Sequence, residues 1–179
     1  MTAKPRFPKP TFTASEMTAA LLEIAPRFPR LLRALWGDGR IDPVLRETVL
    51  LAVADALGCR WCRAAHAEIA RAAGVPENDI GSVLQRAWAD LGPRERAAVV
   101  SALRRVGSGV LVDASIDAAL EEHFGAGEIA GLAALVDAVR IAALSGNTVD
   151  MLLGRLRRST RPRRNSTLGS EAAVAALWA

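Results

Sequence analysis

Apolar residues recur along this chain three and four positions apart, and no stretch alternates apolar with polar for long. That spacing predicts helices and argues against strands. A first helix covers about 14–25 and runs into Pro26; a short second one covers about 27–36 and ends at Gly37-Asp38-Gly39. Asp42 before Pro43 is a cap followed by a first-turn proline, opening a helix of about 43–57 that Gly58 stops. A fourth helix spans about 59–73 and stops at Gly74-Val75-Pro76. Two more follow, over about 77–89 and about 93–106, the latter opened by Pro93 and closed by Gly107-Ser108-Gly109. Asp113 is placed to cap about 114–123, which Gly125 ends, and a long helix covers about 127–157. Beyond an arginine-rich stretch, Ser170 and Glu171 start a short apolar helix over about 171–178. The fold class is all-α: a compact multi-helix domain over 1–154 with a long C-terminal helix, then an arginine-rich linker and a short docking helix over 155–179.

The length of 179 residues suits one domain, which would bury roughly 70% of its unfolded surface. Hydrophobic residues at 51% and charged residues at 23% are a globular balance. Arg, Asp, Glu or Gly interrupts each apolar run before the ~18 residues of a membrane span, and Met1 to Pro8 lacks the apolar stretch of a secretory signal. A cytoplasmic protein with no membrane partner is the expectation.

A net charge of +4 and a pI near 10.0 point first toward nucleic acid. The distribution of the charge changes that. Residues 155–164, RLRRSTRPRR, carry six arginines and no acid, and Lys4, Arg6 and Lys9 lie in 1–10. Those nine cations exceed the net +4 by five, so the remaining chain stands at −5. The basic ends read as solvated tails, and 155–164 holds no aromatic residue to stack on a base, so nucleic acid gains no support. No dinucleotide glycine pattern and no P-loop is present, so no bound cofactor is expected.

The two cysteines are more informative than the charge. They fall together in Gly58-Cys59-Arg60-Trp61-Cys62-Arg63-Ala64-Ala65-His66. A Cys-x-x-Cys pair at a helix start meets unpaired N–H groups and the positive end of the dipole, which favour a thiolate. A three-residue separation allows the sulfurs to bridge, and in a reducing compartment such a pair reads as redox-active. On a helical wheel Cys59, Cys62, His66, Ile69, Ala70 and Ala73 form one inward stripe, with Arg60, Arg63 and Arg71 turned away. His66 is thereby placed to move a proton to or from a cysteine. On the preceding helix Glu47 has Val44, Leu50, Leu51 and Ala54 as stripe neighbours. A carboxyl so surrounded is expected to have a raised pKa and to serve as base or relay, and a hairpin at Gly58 folds it back beside His66. Arg46 and Arg104 are the candidate ion-pair partners if Glu47 is instead structural. Cys59, Cys62 and His66 also count as three zinc ligands, with no fourth nearby.

The pattern Glu47-x11-Cys59-x2-Cys62-x3-His66, within LRETVLLAVADALGCRWCRAAHAEIARAAGVPENDI, resembles alkylhydroperoxidase D of the carboxymuconolactone decarboxylase-like superfamily. The similarity covers about 40–80, with a weaker one over about 120–156 that includes Asn147. The resemblance implies a helical fold assembled into homo-oligomers, trimers or hexamers, and thiol-dependent reduction of a hydroperoxide substrate. It implies that Cys62 attacks the peroxide, Cys59 resolves the sulfenic acid, and Glu47 with His66 forms the proton relay. It implies an external dithiol reductant, such as a lipoyl-bearing adaptor protein. The family's peroxidase often has a histidine before the second cysteine; here that position is Trp61, which shapes the route to the sulfurs. The decarboxylase branch lacks the cysteine pair, which argues against ring-opening decarboxylation.

Two other functions fit the same residues: a thiol–disulfide relay or redox sensor without peroxidase activity, and a non-enzymatic binding module using the basic tail. His123 reads as a helix C-terminal residue, Asn147 as a side chain bonding backbone or a neighbouring helix, and Trp36, Trp88 and Trp178 as packing anchors.

Overall fold

Caps and breakers set the helices of the computed structural model, which describes residues 5–37, 40–109, 114–163 and 166–178. The expected cap Asp113, along with Asp38, Gly39, Lys4 and Arg164, lies outside them. Thr13 and Glu16 form a capping box at the start of α1 (Ala14–Ile24). Pro26 turns the chain through a single 3-10 turn into α2 (Phe28–Trp36). Asp42 accepts the Leu45 N–H at 3.0 Å to start α3 (Pro43–Ala56). Gly58, at φ +69°, makes the tight corner into α4 (Arg60–Ala73). Then come α5 (Glu77–Leu84), α6 (Pro93–Arg105), α7 (Ala114–His123), α8 (Ala126–Leu156) and α9 (Leu168–Trp178). Among the described residues there is no strand, only an isolated parallel bridge between Arg6 and Arg161.

Two helices organise the rest. The first, α3, packs on α4, α5, α6 and α8 and buries nine of its fourteen residues, so it is apolar nearly all round. The second, α8, lies against α1, α2, α3, α4, α6 and α9. Leu51, Val53, Val99, Leu103, Val136, Ala143 and Met151 are almost wholly buried between and beside them. Over 31 residues α8 is long and apolar enough to cross a membrane by length and composition, contrary to the expectation that polar interruptions forbid it. In this fold 56% of its most apolar window is buried against protein, as for a core helix.

Three expectations about packing change. Helix α5 stops at Leu84 and not near 89, followed by a separate 3-10 turn at Trp88–Asp90. Helix α9 starts at Leu168, three residues early: Thr167 Oγ1 accepts the Ser170 N–H at 3.2 Å, and Glu171 is fully buried, its Oε1 taking Arg155 at 2.8 Å and Ser166 at 2.9 Å. Trp36 anchors nothing, at 75% exposed, whereas Trp88 is packed against the core. The apolar α9 docks on its own chain, against α8 and α1.

Candidate functional site

The corner between α3 and α4 brings together all four residues singled out by spacing. Cys59 is the N-cap of α4, and its Sγ accepts the Cys62 N–H at 3.2 Å. Cys59 and Cys62 form a disulfide, with Cα atoms 5.4 Å apart. Both sulfurs sit at the positive end of the α4 dipole, where a thiolate is stabilised. Cys59 is 1% exposed and Cys62 9%, so Cys62 is the more accessible of the two.

One turn along α4, His66 Nδ1 lies 2.9 Å from Glu47 Oε2. Arg46 Nε donates to the other oxygen, Oε1, at 2.8 Å. Burial of Glu47 alone would push its pKa up, but the hydrogen bonds and charges of His66 and Arg46 outweigh that and hold it below the ordinary 4.5. The expected raised pKa is therefore corrected: near neutral pH Glu47 is a carboxylate that can only accept, so His66 carries its proton on Nδ1. Nε2 is then the ring position left for proton exchange. Of the two arginines weighed as partners, Arg46 binds Glu47, whereas Arg104 binds Asp117 on α7.

The inward stripe of α4 is narrower than the wheel implies. Cys62 and Ala70 are buried and the His66 side chain is 17% exposed, but Ile69 stands 45% exposed at the edge. The arginines do point outward: Arg60, Arg63 and Arg71 are all exposed.

Sequence reasoning missed Asp150 of α8. Its carboxylate, 7% exposed, takes Arg60 Nη2 at 2.6 Å, Lys9 Nζ at 3.1 Å and the Trp61 indole N–H at 3.3 Å. Arg60 also stacks on the Trp61 ring, 4.4 Å from its centroid. Trp61 is thus pinned, 44% exposed, between the two cysteines. Nothing in the spacing links residue 150 to 60, since α8 reaches the site only through the tertiary fold. Asn147, one turn before Asp150, donates to Pro10 O and Leu57 O, both at 2.9 Å, tying the corner to α8 as expected of a backbone-bonding side chain. Gly146 lets the helices meet closely: a Cβ there would stand 3.1 Å from Cys59 Sγ and 3.5 Å from the Trp178 ring. His123, in the last turn of α7, lies outside this constellation.

The model of the carboxymuconolactone decarboxylase family matches residues 23–105, which contain α2 to α6 and all four site residues. That stretch, just under half of the chain, is similar to this family. That family includes alkylhydroperoxidase D-like proteins, and its enzymes include decarboxylases and peroxidases. The match ends before α8, so the weaker likeness over about 120–156 lies outside it. A search of curated proteins finds no match to the chain.

Proposed function

We propose that this chain is a thiol-dependent peroxidase that reduces organic hydroperoxides. In the reduced enzyme, His66, oriented by Glu47, takes the Cys62 proton. The Cys62 thiolate attacks the distal peroxide oxygen, the O–O bond breaks, and the alkoxide leaves as an alcohol after gaining a proton. Cys62 is then a sulfenic acid. The Cys59 thiolate attacks Cys62 Sγ, hydroxide leaves as water, and the disulfide forms. An external dithiol restores both thiols.

The observation that carries this reading is the doubly anchored Glu47 next to His66, one turn from a bridged cysteine pair. A purely structural disulfide has no use for an oriented imidazole. The residue order supports the two cysteine roles: Cys62 is the more exposed sulfur, and Cys59, bonded to the Cys62 N–H, is the better-stabilised thiolate for resolution or departure.

Stopped-flow oxidation of the reduced protein by organic hydroperoxides, with mass spectrometry of the product, tests the proposal. Oxidation should be orders of magnitude faster than that of a free cysteine and end in the Cys59–Cys62 disulfide. Cys62→Ser should lose turnover, and Cys59→Ser should stall at sulfenic acid. Full activity in Cys62→Ser would sink the assignment. Fast exchange with dithiols combined with peroxide oxidation no faster than free cysteine would favour a thiol–disulfide relay.

A further inference from the structure

The basic ends of the chain, 154 residues apart in sequence at Lys9 and Arg163, meet beside the disulfide. Phe7 N–H donates to Arg161 O at 3.0 Å, Arg161 N–H to Pro5 O at 2.9 Å, and Arg163 Nη1 to Lys9 O at 2.6 Å. The Lys9 stem crosses the corner glycine: its Cγ and Cδ lie 3.6 Å from where a Gly58 Cβ would be, and Gly58 adjoins Cys59. Lys9 and Arg60 then share one carboxylate, Asp150. On the other side Arg63 and Arg86, each 3.4 Å away, share Asp55.

Five cations thus surround the N-terminus of α4 with two carboxylates between them, an excess of three positive charges. The arginines are open to solvent, with side chains of Arg60, Arg63 and Arg86 51%, 55% and 62% exposed, whereas Asp150 and Asp55 are 7% and 10% exposed. Buried anions under exposed cations leave a surface that presents positive charge. Apart from this rim and the other basic residues of the two end segments, the chain carries more acid than base, so the positive field belongs to the ends and to the thiol site they meet.

We propose that this rim docks an acidic polypeptide that presents a dithiol, and that this partner is the reductant. The inference rests on the peroxidase reading for the direction of electron flow and names the partner class for the same site. A partner thiolate attacks Cys62 Sγ, the more exposed sulfur. The Cys59–Cys62 bond breaks and its electron pair leaves on Cys59, at the α4 N-cap. The second partner thiol gives up its proton and attacks the partner sulfur of the mixed disulfide, releasing the Cys62 thiolate. The partner ends as a disulfide, and two electrons and two protons reside on Cys59 and Cys62. A nucleic acid would meet the same charge but cannot supply these electrons.

The test mixes the oxidised protein with Cys-x-x-Cys peptides flanked by glutamates or by lysines, and separately with dithiothreitol. Thiols are trapped by alkylation and counted by mass. At about 20 mM salt the acidic peptide should react about tenfold or more faster than the basic one, and the ratio should approach one at about 500 mM. Arg86→Gln, Arg63→Gln and Arg163→Gln should each slow the acidic peptide about two- to fivefold and leave the dithiothreitol rate unchanged. Arg163 pairs with no carboxylate in this rim, so its variant reads the charge even if freeing Asp55 disturbs folding. Equal rates for the two peptides at low salt would overturn the proposal. So would variants that slow dithiothreitol as much as the acidic peptide, or a single-stranded oligonucleotide that binds at about 150 mM salt and excludes the acidic peptide. A protein that prefers the acidic peptide but is inert to hydroperoxides keeps this docking surface and loses the peroxidase reading.

Discussion

Glu47 has two kinds of neighbour, and they push its ionisation in opposite directions. Its helix stripe is apolar, which is what the spacing of Val44, Leu50, Leu51 and Ala54 makes visible. Its two oxygens, however, hold Arg46 and His66 at 2.8 and 2.9 Å, and those charges win. Adjacent helix positions do not face each other, so the Arg46 contact depends on a long side chain bending back, which no periodicity displays. The sign of the pH effect follows. A carboxyl held below 4.5 in the folded state adds stability above its unfolded value, and that stability is lost as pH falls through the folded one. Wild type should therefore lose an advantage over Glu47→Gln only below about pH 4.5, as urea unfolding at a series of pH values would reveal. At neutral pH the variant should be less stable by about 1–3 kcal/mol, because Arg46 and His66 lose a charged acceptor. Oxidation of Cys62 should slow about 10- to 100-fold in the same variant, since an amide orients the imidazole without favouring its charged form. Equal stability of the two proteins at every pH would remove the charged pair from this account.

At the level of elements, legibility tracks the presence of glycine and proline. Asp42-Pro43, Gly58 and Gly74 mark the bounds of α3 and α4 in the sequence and in the structure alike. The end of α5 is invisible because its left-handed cap is Arg86, at φ 59°, with the Ala87 N–H returning to Ser82 O at 2.8 Å. The start of α9 is misplaced because Glu171, which reads as a first-turn acid, turns inward to Arg155. Neither the close approach of α8 to the disulfide nor the role of Asp150 has a local signature. Two glycines in α8 make that approach measurable. Gly146→Ala places a methyl 3.1 Å from Cys59 Sγ, which the disulfide fixes, and should destabilise the oxidised protein by about 1–3 kcal/mol. Gly127→Ala meets nothing within 4 Å and should stabilise by about 0.4–1 kcal/mol. Urea unfolding of the two variants should thus move the midpoint in opposite directions. A stabilised Gly146→Ala would mean that α8 does not press on the cysteine pair.

On the whole molecule, apolar surface is left on the side built by α1 and α2. Leu22 is 70% exposed, Phe28 52% and Trp36 75%, with Leu21 and Leu32 both at 41%. Beside them lies a groove of about 490 Å³ between α1, α2 and α8, lined by Leu21, Ile24, Phe28, Leu31, Ala138 and Ile141. Scattered exposed leucines need no partner, but a contiguous apolar face of this kind marks an interaction surface. The expected homo-oligomer would bury it, and the basic rim at the other helix corner would stay open to a reductant. Leu22→Glu with Phe28→Glu tests that division of surfaces. Both side chains point outward, so the change to the stability of a single chain should stay within about 0.5 kcal/mol per site. Light scattering should shift from an assembly to a monomer, while the dithiothreitol reduction rate of the disulfide holds. An assembly of unchanged mass would place the subunit contact elsewhere, and a wild-type monomer would leave the α1–α2 face for a different partner.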